Sequence, residues 1–160
     1  MTGTAKAVPS GFHTLTPHLT VRDAEQAIAF YQKAFGAELL GKSLGPDGKI
    51  THASLRIGDS ILMFNDEFPE WGCLSPLSTG GTGAVIHVYL ENVDAAFERV
   101  VSAGATVKMP LMDAFWGDRY GQVMDPFGHR WALATHVRDL SQEEILKAQD
   151  EAFGGMPKSA

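Results

Sequence analysis

The chain has 160 residues, 44% apolar and 20% charged: one domain's worth of ordinary globular composition, which excludes extended disorder. Its 19 acidic against 13 basic side chains give a formal charge of −6, which disfavours nucleic acid and anionic membrane surfaces as partners. The single cysteine, Cys73, excludes an internal disulfide and a thiolate metal cluster, and no apolar run reaches secretory or membrane-spanning length, so the expected setting is cytoplasmic.

Taken along the chain, residues 18–36 (HLTVRDAEQAIAFYQKAFG) predict a short strand, then a helix capped by Asp23. Gln26 gives that helix a capping-box-like start, and Gly36 a left-handed stop. Ala24, Ala27, Ile28, Tyr31 and Phe35 fall on one buried face. Strands are predicted at 37–44, at 51–57 and, after a turn at Gly58, through ILMFND. Residues 67–83, with PEWGCLSPLSTGGTG, read as a connection. Their glycines lack the Lys-Ser/Thr of a phosphate-binding loop. Residues 87–104 (HVYLENVDAAFERVVSAG) repeat the strand–helix pattern with Asn92 as cap and Gly104 as stop. Strands follow at 105–109, at 120–125 and, after a turn at Gly128, through 130–136. Ser141 and Glu144 then form a capping box for a terminal helix reaching about Phe153, with 154–160 as a frayed tail.

The two halves are one unit used twice. Asp23 and Asn92 are 69 residues apart, and Gly58 and Gly128 are 70 apart. A first strand–helix–strand–strand–strand module occupies 11–66, a linker 67–83, a second module 84–137, and a C-terminal helix and tail 138–160. All belong to one compact domain.

This duplicated βαβββ module, with FYQKAFGAEL, HASLRIGDSILMFNDEF and FWGDRYGQVMDPFGHRWALATH, resembles the vicinal oxygen chelate superfamily, which includes glyoxalase I, bleomycin-resistance proteins and extradiol dioxygenases. Within it, the motifs look closest to the PhnB-like branch. The resemblance covers 11–146. It implies an α+β fold in which the paired modules form a curved eight-stranded mixed sheet around a cavity, with helices outside, usually in a homodimer.

Strand alternation assigns the cavity face. Leu15, Leu19 and Val21 should pack inward and leave His18 on the other side. Ala53, Leu55 and Ile57 leave His52, Ser54 and Arg56; Ile86, Val88 and Leu90 leave His87 and Tyr89. An offset of 70 adds Tyr120, Gln122 and Met124, then Arg130, Ala132, Ala134 and His136, whose mates become Ser60, Leu62, Phe64 and Asp66. The expected polar lining is His18, His52, Arg56, Asp66, His87, Tyr89, Tyr120 and Gln122, with Phe64, Phe115 and Trp116 as apolar walls. His129 and His136 read as structural, and Arg56 with Asp66 as an ion pair.

The resemblance also implies metal ligands on the first, fourth, fifth and eighth strands. His87 matches the fifth-strand histidine, and His18 the first in a gapped alignment. Ala132 stands at the eighth-strand carboxylate position and Leu62 at its mate, so neither ligates. Catalytic zinc takes three protein ligands, and iron oxygenases of this type a His/His/carboxylate face. The expectation is therefore a small-molecule-binding protein, with no metal or cofactor and a small-molecule ligand as partner. One alternative is a lyase, isomerase or dioxygenase dependent on a divalent metal (Zn, Ni, Mn or Fe), using His18 and His87 with Asp66 or Glu67. Another is a metal-free acid–base enzyme using His87 with Tyr89 or Tyr120.

Overall fold

Two helix starts, capped in the same way, set the architecture. Asp23 adopts an extended backbone and accepts the amide of Gln26, while Asn92 accepts that of Ala95. The Gln26 amide group donates to the Asp23 carboxylate rather than to its backbone. Helix α1 (Ala24–Phe35) then stops at Gly36, whose φ of 65° is the left-handed cap. Helix α3 (Val93–Ala103) stops at Gly104. In this computed structural model, which describes residues 5–154, the capping box of Ser141 and Glu144 starts α4 (Gln142–Phe153). The tail expected from 155 onward lies outside the described residues.

Eight strands accompany the helices: β1 (His18–Val21), β2 (Glu38–Leu44), β3 (Ile50–Ile57), β4 (Ser60–Asp66), β5 (Val85–Tyr89), β6 (Thr106–Asp113), β7 (Asp118–Met124) and β8 (Arg130–His136). They form two four-stranded mixed sheets with identical order, β1-β4-β3-β2 and β5-β8-β7-β6. In each, the first strand runs parallel to the last of its module and the other pairs are antiparallel. The eight strands thus come as a module pair rather than one continuous ladder, since β1 and β5 each pair on one side only among the described residues. The linker holds a 3-10 turn, Pro69–Trp71, and the short helix α2 (Pro76–Thr79).

The apolar faces of α1 and α3 and the inward faces of both sheets make one core. At its centre the Tyr31 ring meets Phe30, Phe35, Phe64, Phe127 and Trp131 at centroid distances of 5.5–6.3 Å. Full burial of each such ring stabilises by roughly 1.5–3 kcal/mol. Among the described residues no helix is long and apolar enough to cross a membrane.

Two sequence expectations are corrected here. Leu15 is 89% exposed, because β1 begins only at His18. Phe64, expected as a cavity wall, is fully buried in the core opposite Ala53 and Leu19. The cause is hairpin length. Ile57 pairs with Ser60 around two residues, whereas Asp125 bonds to His129 around three. His18 therefore faces Met63 as His87 faces Ala132, an offset of 69 (132 − 63) rather than 70. A one-residue shift turns every β4 side chain to the other face. Ile61, Met63 and Asn65, not Leu62 and Phe64, thus share the face of His18, Ser54 and Arg56.

Candidate functional site

The outward face of the second sheet is laid out in rows. Val85, Arg130 and Met124 lie side by side, then His87, Ala132 and Gln122, then Tyr89, Ala134 and Tyr120, then His136 and Asp118. Alanine at 132 and 134 leaves β8 low, so the flanking rings lean over it. His87 lies 4.6 Å from Tyr89 and 5.8 Å from Tyr120 between ring centroids, and Trp116 meets Tyr120 edge-on at 5.1 Å. Both alanines are buried, while His87 is exposed and Tyr89 is 63% exposed. The result is an aromatic platform open to solvent.

A buried carboxylate fixes that platform. Asp118, 2% exposed, accepts from Trp116 Nε1 at 2.9 Å, from the Tyr89 hydroxyl at 3.3 Å and from His136 Nδ1 at 2.7 Å. His136 Nε2 meets Asp139 at 2.9 Å. Both imidazole nitrogens therefore face carboxylates, which favours the doubly protonated ring and raises the His136 pKa; the Asp118 hydrogen bond is the larger cause. Desolvation, then the Asp118 charge, raises the Tyr89 phenol. Gln122 Nε2 donates to the Tyr120 hydroxyl at 2.6 Å, leaving its proton free for a ligand. Phe115 packs edge-on to Trp116 at 5.0 Å and to Phe153 of α4 at 5.6 Å, so the terminal helix backs the loop.

The first sheet carries a separate, more polar group. Asn65 Nδ2 donates to the Asp66 carbonyl, so its Oδ1 is the acceptor and His18 Nε2 donates to it at 2.7 Å. His52 Nε2 lies 3.0 Å from Ser54 Oγ, and the His18 and His52 rings meet edge-on at 6.1 Å.

The structure thus gathers His87, Tyr89, Tyr120 and Gln122 on one sheet, with Phe115 and Trp116 from the loop between β6 and β7 beside them, and His18 and His52 on the other. Arg56 pairs with Glu38 at 3.2 Å on the exposed surface, not with Asp66. Asp66, expected in the lining, instead receives the backbone amides of Ala24 and Ile50, each at 2.7 Å. Glu67 accepts from Ser75 and pairs with Arg22 at 3.5 Å; the Ser75 and Ser78 hydroxyls are the main cause of its pKa falling to about 2.

Sequence reasoning missed Asp118 by starting β7 two residues late, at 120. Extending the same alternation would have found it. Asn65 was hidden by the β4 shift, and His136 was set aside as structural.

A metal of the kind the family resemblance implies meets a poor donor set here. His18 stands opposite Met63, and His87 opposite Ala132, and neither partner carries an oxygen ligand. Among the described residues no group of three His, Cys, Asp or Glu side chains is arranged to hold an ion.

A cleft of about 980 Å³ adjoins the free edge of β5 and is lined on the far side by His13, residues 15–17 and residues 57–62, with His87 and Tyr89 on its β5 wall. A groove of about 700 Å³ lies elsewhere, at the start of α3, where Arg119 is already held by Asp94 at 2.9 Å and Asp113 at 3.5 Å.

Residues 11–133 match the model of the glyoxalase/bleomycin resistance protein/dioxygenase superfamily. A Mycobacterium bovis protein is 49% identical over 144 residues, covering 88% of this chain and 95% of the relative. Among solved structures, TioX from Micromonospora sp. ML1 is 31% identical with a TM-score of 0.63, covering 78% of this chain and 99% of its own. A Bacillus cereus PhnB protein, at 21% identity and a TM-score of 0.60 over 77% of this chain and 99% of its own, shares the fold. With its duplicated βαβββ modules and a family match across both, the chain belongs to the glyoxalase/bleomycin resistance protein/dioxygenase superfamily.

Proposed function

We propose that this protein, of the PhnB-like branch, captures a small apolar or aromatic molecule on the His87–Tyr89–Tyr120–Trp116 platform as a homodimer and without a metal ion. The carrying observation is the platform itself: four rings in a chain, each within 6 Å of the next from Tyr89 through His87 and Tyr120 to Trp116, held at one end by Asp118, yet open to solvent. Offset and edge-to-face stacking on such rings is worth about 0.5–1.5 kcal/mol per pair beyond area burial. Two imidazoles without an oxygen ligand opposite them support capture over metallochemistry, and the carboxylates expected to complete a set, Asp66 and Glu67, are engaged elsewhere. A general-base role for Tyr89 is disfavoured because its phenol, held above the ordinary value, stays protonated near neutral pH. The free edges of β1 and β5, with Val85 and Tyr89 of β5 exposed, favour a second copy as cover.

The test is titration with the uncharged fluorophore N-phenyl-1-naphthylamine, read by its emission and by quenching of Trp116. Saturable binding unchanged by EDTA, and weakened about tenfold by Tyr120→Leu, is expected. Binding lost to EDTA and restored by Zn, Ni, Mn or Fe would select the metal-dependent reading instead.

A further inference from the structure

Arg130 opens β8 on the same face as the platform, one pleat beyond Ala132 and so about 7 Å along the strand from the level of His87. Its neighbours across the ladder, Val85 and Met124, offer no charge and no strong hydrogen-bond acceptor in their side chains. Its Nε is shut off from solvent without a hydrogen-bond partner, and no ion pair engages its guanidinium among the described residues. Three other arginines are ion-paired: Arg22 meets Glu67, Arg56 meets Glu38, and Arg119 meets Asp94 and Asp113, while Arg99 donates to the Ala34 carbonyl. A guanidinium N–H held out of water without an acceptor is unfavourable, and its planar fork is suited to a bidentate oxyanion.

The opposite end of the platform has the other polarity. Asp118 and Asp139 flank His136 there, two carboxylates around one imidazole. A ligand lying across the rings between these ends meets a lone cation at one side and a net negative group at the other. An anionic substituent is therefore attracted to the Arg130 end and repelled from the Asp118 end, which orients the molecule as well as holding it.

We infer that the ligand of the platform is an aromatic or apolar molecule bearing one oxyanion (carboxylate, sulfonate or phosphonate), and that Arg130 binds this group. The inference deepens the proposed function and rests on it.

Two probes with one ring skeleton separate the two claims: 1-anilinonaphthalene-8-sulfonate, and N-phenyl-1-naphthylamine, which lacks the sulfonate. The wild type is expected to bind the sulfonate more tightly. Arg130→Met should weaken the sulfonate about tenfold or more and leave the neutral probe within about twofold. Arg130→Lys should keep the preference, and added salt should weaken the sulfonate alone. Where Arg130→Met fails to give a native circular dichroism spectrum, the lysine variant and the salt series carry the test. Equal affinity for both probes in the wild type, or Arg130→Met losing neither or both alike, overturns the role of Arg130. Failure of the neutral probe to bind native protein overturns the platform reading itself, and this inference with it.

Discussion

Asp66 and Thr135 stand at equivalent points of the two modules, and each accepts the first amide N–H of its module's helix: Ala24 N at 2.7 Å and Val93 N at 2.9 Å. Asp66 also takes the amide of Ile50, while the Thr135 hydroxyl passes its own proton to the Leu90 carbonyl at 2.6 Å. The duplication thus extends to the means of anchoring each helix to its sheet, with a carboxylate in one half and a hydroxyl in the other.

Asp66→Ala follows directly. Two partly buried amides would lose their acceptor, so the variant is expected to be about 2–4 kcal/mol less stable in urea denaturation. Its affinity for N-phenyl-1-naphthylamine should be unchanged. Loss of affinity at unchanged stability would return Asp66 to the ligand site.

A buried hydrogen bond also joins the two modules. Tyr31 on α1 donates to Asp125 Oδ2 at 2.7 Å, and Trp131 Nε1 donates to the same oxygen at 2.8 Å. Removing the hydroxyl in Tyr31→Phe leaves a buried carboxylate one donor short, a loss of about 1.5–3 kcal/mol. Desolvation, then the Asp125 charge, raises the Tyr31 phenol well above its ordinary value of 10. A raised phenol contributes stability that is fully present below 10 and is lost as pH rises through the higher folded-state value. Ultraviolet titration should therefore show one tyrosine ionising only as the protein unfolds in alkali, and Tyr31→Phe should abolish that step.

Much of this was legible in the residues. Helix caps, stop glycines and alternating strands repeat at a near-constant spacing because both modules solve one packing problem, so the element order and most of the sheet faces follow. Phe64 shows where the reasoning ends. Turn glycines align at 70, but the strand beyond the shorter hairpin aligns at 69, and nothing in FNDEF marks the missing residue. Pairing register is a tertiary property, decided when Leu62 and Phe64 find the core. The Asp118 network was hidden for a related reason. Its members, Tyr89, Trp116, Asp118, His136 and Asp139, come from three segments that converge only in the folded sheet.

The corrected placement of Phe64 has a measurable consequence. Its ring is fully buried 5.9 Å from that of Tyr31, so Phe64→Ala empties a central site and should cost about 3–5 kcal/mol. A wall residue of an open cavity would cost far less and would weaken probe binding instead. Urea denaturation beside a fluorophore titration on the same variant distinguishes these outcomes.

His136 supplies the pH dependence. Hydrogen bonds to Asp118, then to Asp139, raise its folded-state pKa above the ordinary 6.5. Its contribution to stability is therefore fully present below 6.5 and fades as pH rises through the folded value. Deprotonation leaves a single ring N–H for the two carboxylates, and the network repartitions around Asp118, which Trp116 and Tyr89 share. Trp116 emission is thus expected to shift across this interval above pH 6.5, and the His136 ring should titrate over the same interval by NMR. In His136→Gln, whose amide does not titrate, the emission shift should vanish. Its persistence in that variant would assign the titration to another group and remove His136 from the control of the platform.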